Sequence, residues 1–263
     1  MRLPTDNQDI DRDVADFSFA FQPIVDVHTG DVHSHEALVR GLDNEPAYEV
    51  LARYAGSQSV GFDARCRSRA IEVASRIGLD TLLNINMSPS AAVDPDSGLR
   101  STLDAAEKYS FPPDRLVVEV TEVDMIADIE GFAATINEFR RTGMQFAIDD
   151  FGSGYAGLAL LSSFQPDVVK LDMSLVRGIE SNGPRQAIVR AIQQVCIDLG
   201  IDILAEGVET LDEFAWFADL GVNLFQGYLF ARPMFEAMPP YNLPETFGLW
   251  TNDRARNRLA IEG

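Results

Sequence analysis

The sequence predicts a single α/β domain in which parallel strands close into a (β/α)8 barrel. Three observations predict it. Eight short runs rich in Val, Ile, Leu and Phe alternate with longer amphipathic runs. The alternation is not interrupted by a linker, a low-complexity stretch or an internal repeat. Finally, no G-x-G-x-x-G follows an early strand and no G-x-x-x-x-G-K-[ST] occurs, so the competing doubly wound open sheet lacks its usual mark.

The first sixteen residues, polar and acid-rich, read as a loose arm. Strands are expected at Phe17–Ile24, His35–Val39, Leu82–Met87, Leu116–Val120, Gln145–Ile148, Val168–Leu171, Ile203–Ala205 and Asn223–Phe225. Each is short and apolar, as buried parallel strands are. Helical patterns lie between them at Tyr48–Tyr54, Asp63–Ile77, Leu99–Tyr109, Gly131–Arg141, Tyr155–Ser162, Pro184–Leu199 and Leu211–Leu220. Pro184 at a helix start and Gly200 past its end fit the preference for proline first and glycine last. The domain is expected over 17–245, followed by a tail, 246–263, for which a helix is one reading.

The 263 residues are enough for a full core without metal or disulfide staples. With 46% hydrophobic and 24% charged residues, the chain is neither disordered, collagen-like nor membrane-spanning. A net charge of −20 repels polymeric nucleic acid and anionic membranes, so neither is an expected partner. A small phosphate ligand is compatible with that charge only if something neutralises it locally. Two cysteines, Cys66 and Cys196, make no disulfide framework and read as buried reduced thiols. No secretory signal and no apolar run long enough to span a bilayer is present, so the cytoplasm is the expected compartment.

Polar residues recur at the C-terminal ends of the expected strands. Asn86 is on the third and Glu119 on the fourth; Asp149 and Asp150 end the fifth, and Lys170 and Asp172 the sixth. Glu206 ends the seventh and Gln226 the eighth, while Glu36 lies in the second. One carboxylate at a strand end is usually a helix cap. Several on different strands, converging on one barrel mouth, repel and need a cation. Glu36, Asn86, Glu119, Asp149, Asp150 and Glu206 offer oxygen only, which favours Mg²⁺, Mn²⁺ or Ca²⁺ over Zn²⁺. Two metals about 3.5–4 Å apart, sharing one aspartate, are the natural use of such a set, and such pairs promote in-line attack at phosphorus. Lys170 is either an ion-pair partner or the group that holds the attacking water. A metal-free carboxylate pair, as in glycosidases, is the alternative chemistry.

These residues resemble the EAL-domain family. The resemblance begins with Gln22-Pro23-Ile24 and Glu36-Ala37-Leu38-Val39-Arg40 and continues through Asn84-Ile85-Asn86-Met87-Ser88-Pro89 and Glu119-Val120-Thr121-Glu122. It proceeds through Asp149-Asp150-Phe151-Gly152-Ser153-Gly154-Tyr155, Lys170-Leu171-Asp172 and Ala205-Glu206-Gly207-Val208-Glu209-Thr210, ending at Gln226-Gly227-Tyr228-Leu229-Phe230. A lone Glu-Ala-Leu is worthless as a signal; seven ordered motifs over nearly the whole chain are specific.

The resemblance implies a modified TIM barrel with an antiparallel first strand and a cyclic di-GMP-specific phosphodiesterase that yields linear pGpG. It implies Glu36, Asn86, Glu119 and Asp149 as ligands of one Mg²⁺ or Mn²⁺, and Asp149, Asp150 and Glu206 as ligands of a second, with Ca²⁺ inhibitory. It casts Lys170 as the contact of the catalytic water and Gln226 as a site glutamine. It implies that Gln22, Leu38 and Arg40 hold the nucleotide, with Arg40 on a phosphate, that Glu122 steadies the loop after Asp150, and that this loop, about Asp150 to Ser163, couples a homodimer contact to metal binding. Three departures stand out: Gly41 where an aromatic often follows the arginine, Ser153 in place of threonine, and a short region from Gly41 to Phe62 without the proline-rich helix segment of longer members. All metal and lysine positions are retained, which argues against the alternative, a catalytically silent cyclic di-GMP receptor acting through protein contacts.

Overall fold

The computed structural model describes residues 16–54, 59–88, 98–121, 129–154 and 157–244. The arm, apart from Asp16, and the tail lie outside them, as does Glu122. The strands are β1 Phe17–Asp26, β2 Asp31–Gly41, β3 Leu82–Asn86, β4 Leu116–Thr121, β5 Gln145–Phe151, β6 Val168–Leu171, β7 Asp202–Ala205, β8 Leu224–Phe225 and β9 Met234–Phe235. The helices are α1 Ala47–Arg53, α2 Ser59–Arg76, α3 Leu99–Lys108, α4 Ile129–Arg140, α5 Gly157–Ser163, α6 Met173–Val176, α7 Gly183–Leu199 and α8 Leu211–Leu220.

Strands β2 to β8 pair in sequence order and in parallel, and β1 closes the ring antiparallel to both β8 and β2. This is the barrel expected from the alternation, with the reversed first strand that the family resemblance implied. The second strand is longer than expected, because Asp31–Gly41 pairs along its whole length with β1 as a hairpin. Helix α6 and strand β9 were not expected; β9 adds outside the ring, pairing Phe21 with Met234. Helix α7 carries Pro184 in its first turn and ends at Gly200, which adopts φ 70°. Both cysteines are free; Cys196 is buried as expected, whereas Cys66 is half-buried.

Two apolar layers position everything else. A large outer layer fills the space between sheet and helices; it includes Phe132, Phe146, Phe214 and Phe217. A small inner layer plugs the barrel: Ile24, Val117, Ala147, Val168, Leu204 and Leu224, with Leu82 packed against it. Each of these seven comes from a different strand. Because side chains alternate across a strand, the next inward position lies two residues further along. In β1, which runs backwards, that position is Gln22. In β3 to β6 it is Asn84, Glu119, Asp149 and Lys170, and just past β7 and β8 it is Glu206 and Gln226. A dry floor thus carries a polar storey directly above it.

Candidate active site

The polar storey is buried except at Glu206, which is half-buried. Gln22, Glu36, Asn84, Glu119, Asp149, Lys170 and Gln226 are all largely withdrawn from solvent, and Glu119 is completely so. Glu36 enters from β2, opposite Gln22 in the hairpin register and beside Asn84 in the parallel one.

Lys170 stands at the centre. Its Nζ is 2.7 Å from Glu206 Oε1, 2.9 Å from Glu119 Oε1, 3.0 Å from Asp149 Oδ1 and 3.7 Å from Glu36 Oε1. Burial alone would lower the lysine's proton affinity, but the four carboxylates hold it well above its usual value. The same burial, with repulsion from the neighbouring carboxylates, raises Glu119 and Glu206. Glu119 is pushed up to about 8, chiefly by desolvation and against the pull of Lys170. Glu206 also rises well above its ordinary range, for the same first reason.

Asp149 and Asp150 are neighbours in one strand, so their side chains should diverge. They do not, because the ladder shifts there. Ile148 pairs with Val169 and Phe151 with Leu171, leaving two residues of β5 opposite Lys170 alone. Asp150 takes the left-handed conformation, φ 52°, which aspartate tolerates better than most residues. This bulge brings both carboxylates to one mouth. Asp150 is raised by desolvation first and then by Asp149 and Asp172. Its backbone N–H donates to Asp149 Oδ1 at 3.0 Å.

The result is two overlapping oxygen groups. Glu36, Glu119 and Asp149 bring one carboxylate oxygen each within 4.8 Å of one another, and so do Asp149, Asp150 and Glu206. With all five carboxylates ionised against one ammonium the formal charge is −4, which two divalent cations would cancel. Glu119 Oε2 is buried with no hydrogen-bond partner. An all-oxygen donor set, a surplus of buried negative charge and an orphaned carboxylate oxygen fit hard divalent cations.

Two glutamines fix the rim beside this set. Gln22 Nε2 donates to Ala231 O at 3.0 Å, and Gln226 Nε2 donates to Glu36 Oε2 at 2.7 Å and Gln22 Oε1 at 3.3 Å. The cavity above encloses about 360 Å³ and is lined by Gln22, Glu36, Asp149, Asp150, Lys170, Glu206 and Gln226, all expected site residues, and by Arg177 and Tyr228.

Four expected site residues stand apart from that wall: Glu119, fully buried behind it, and Asn86, Leu38 and Arg40. Asn86 is exposed, one inward step nearer the rim than Asn84 and in register with Glu119. Leu38 and Arg40 are half-buried further along β2, and Arg40 donates to Val39 O at 2.8 Å. At Gly41 a side chain would meet the Glu45 carboxylate, so Glu45 takes the space an aromatic would occupy. Asp172 caps α6 by accepting from Ser174 N, and Glu209 pairs with Arg177; neither joins the carboxylate groups. The expectations passed over Asn84, Arg177 and Tyr228. Asn84 was within reach, since it follows Leu82 by the same two-residue step that links Val117 to Glu119.

A profile of the EAL domain matches residues 7–233. The chain belongs to the EAL-domain family. A crystal structure of a standalone versatile EAL protein from Vibrio cholerae, bound to c-di-GMP, superposes on this EAL chain with a TM-score of 0.82 at 45% identity. The match covers 89% of this chain and 98% of that one. BlrP1 from Klebsiella pneumoniae, solved with manganese and cyclic di-GMP, gives 0.79 at 39% identity over 84% of this chain and 57% of its own. Cyclic di-GMP phosphodiesterase PA2567 from Pseudomonas aeruginosa is 29% identical over 89% of this EAL chain and 40% of its own length. The first curated relatives it matches are longer proteins, of which it spans from 57% down to 32%.

Proposed function

We propose that this chain hydrolyses cyclic di-GMP to linear pGpG with two divalent cations, Mg²⁺ or Mn²⁺, and so lowers signalling by that messenger. The observation that carries the reading is the pair of carboxylate groups sharing Asp149 around Lys170. The names of the relatives and structural neighbours supply the substrate; the residues alone support metal-assisted cleavage of a phosphodiester.

Glu36, Asn86, Glu119 and Asp149 would hold one cation, and Asp149, Asp150 and Glu206 the other. Bound there, the cations supply Lewis acidity at the phosphate and acidify a water at neutral pH. They also let a chain of net charge −20 take a dianionic ligand. Lys170 keeps a fixed positive charge on the cavity floor, where the attacking water must be oriented. Gln22 and Gln226, locked to each other and to Ala231 O, present oriented amides to the nucleotide. Leu38 packs against it, and Arg40 exchanges Val39 O for a phosphate oxygen. One water adds across one P–O3′ bond: its oxygen goes to phosphorus and its proton to the departing 3′ oxygen.

We read the active form as a homodimer contacting through the segment after Asp150, in the cytoplasm. Among the described residues no helix is long and apolar enough to cross a membrane.

The test is chromatography of cyclic di-GMP incubated with purified protein in Mn²⁺, Mg²⁺, Ca²⁺ or EDTA. Turnover to pGpG is expected with Mn²⁺ or Mg²⁺. Ca²⁺ should support binding but not turnover, because it is larger and polarises water less. Binding without turnover in every metal would make the chain a receptor; turnover in EDTA would make it a metal-free carboxylate enzyme.

A further inference from the structure

We infer that Asn84 is a positioning residue for the cation site, holding the Glu119 carboxylate in the orientation that leaves one oxygen free. The inference rests on the two-cation reading above. Asn84 is 4% exposed and points into the barrel from β3, in the storey that carries the carboxylates. Its Nδ2 donates to Glu119 Oε1 at 2.8 Å. Lys170 Nζ reaches the same oxygen at 2.9 Å. The two donors come from opposite sides of β4: β3 is its neighbour on one side, and β6 lies beyond β5 on the other. Together they occupy Oε1 and fix the plane of the carboxylate, while Oε2 stays buried without a partner.

Asn84 itself is imperfectly satisfied. Its Oδ1 is buried with no hydrogen-bond partner, a standing cost that an apolar side chain would not carry. A neutral amide suits that position better than a charged residue. It donates a hydrogen bond without bringing positive charge to compete with a cation, or negative charge to repel Glu119. Lys170 cannot do this alone, because its ammonium is divided among four carboxylates. Groups that orient metal ligands typically matter about 10–100-fold for metal affinity or activity.

The experiment titrates Mn²⁺ into the nucleotide-free protein by calorimetry and melts the same proteins in EDTA. Wild type, Asn84→Leu, Asn84→Ala and Glu119→Gln are compared. Asn84→Leu fills the space without a polar atom; Asn84→Ala removes the donor and keeps the chain folded if the larger side chain does not fit. The expected result is Mn²⁺ affinity about 10-fold weaker in both Asn84 variants, with the EDTA melting temperature of Asn84→Leu equal to or above wild type. Wild-type Mn²⁺ affinity in both Asn84 variants, with loss in Glu119→Gln, would overturn this inference and leave the two-cation reading intact. Weakening that tracks a fall in metal-free stability across both variants would overturn it too, since Asn84 would then be structural. No Mn²⁺ binding by wild type would remove both readings together.

Discussion

Lys170 Nζ and Glu206 Oε1 lie 2.7 Å apart, the shortest of four contacts that one ammonium makes with four carboxylates. Breaking a buried ion pair by removing one partner costs about 3–5 kcal/mol, because the other charge is left unpaired. Lys170→Met should therefore melt well below wild type in EDTA. Mn²⁺ should recover more of that loss than it adds to wild type, because cations no longer compete with the lysine for the same oxygens. Turnover should fall by roughly 10²-fold even in saturating Mn²⁺. Melting curves with and without metal, beside a turnover assay, check both statements; wild-type turnover would remove Lys170 from the chemistry.

Asp149 is the one residue common to both carboxylate groups, and Glu206 belongs to one. Calorimetric stoichiometry should therefore read two Mn²⁺ for wild type, one for Glu206→Gln, and none at comparable affinity for Asp149→Asn. Equal stoichiometry in the two variants would mean that the cations do not share Asp149.

Arg40→Ala should act mainly on affinity. The guanidinium lies on β2 beyond the carboxylates and is half-buried. A clamp on phosphate works alike in ground and transition states, so KM should rise about 10-fold with kcat little changed. A large fall in kcat at unchanged KM would contradict it.

Gly227 is held by close backbone. A Cβ there would come within 2.0 Å of Val208 O and 2.4 Å of Val208 N, and neither atom can swing away. Gly227→Ala should cost more than about 3 kcal/mol in urea unfolding, beyond ordinary overpacking. It should also weaken substrate binding, because Gln226 is the preceding residue.

Glu213 gives a pH dependence with a defined sign. Burial alone would raise its carboxyl. The N–H groups of Glu209, Gly178 and Thr210, together with Arg177, hold it below the usual range. A carboxyl whose folded value is depressed stabilises fully above its unfolded value, near 4.3, and loses that contribution as pH falls through the folded value. Glu213→Gln should thus be less stable than wild type by about 1–2 kcal/mol at pH 7. The gap should shrink towards pH 3, as chemical denaturation at the two pH values would show.

The barrel was legible because its strands are short apolar runs and its helices carry ordinary stop signals, such as Pro184 and Gly200. The site was legible because parallel strands carry their C-terminal ends to one rim, so Glu119, Asp149, Lys170, Glu206 and Gln226 announce a common mouth. The reversal of β1 left no trace in hydrophobic pattern, since the alternation along Phe17–Asp26 reads the same whichever way the strand runs. It entered only through the family resemblance. The bulge at Asp149 was equally hidden: adjacent aspartates in a regular strand would face opposite ways, and only the ladder shift against Lys170 turns both inward. Asn84 carries no such mark: it is uncharged and lies within β3, whereas the rim position of that strand is Asn86.

The plug of Ile24, Val117, Ala147, Val168, Leu204 and Leu224 has one more effect. It makes the barrel a well with a single opening. Under the proposed function, whatever reaches the floor beside Lys170 would arrive, and leave, past the nucleotide. Traffic through such a well is last in, first out. Cations would have to be aboard before a nucleotide settled over them, and product would have to depart before they could be exchanged. On that account excess nucleotide added ahead of metal should delay the onset of turnover, a lag that disappears when the order of addition is reversed.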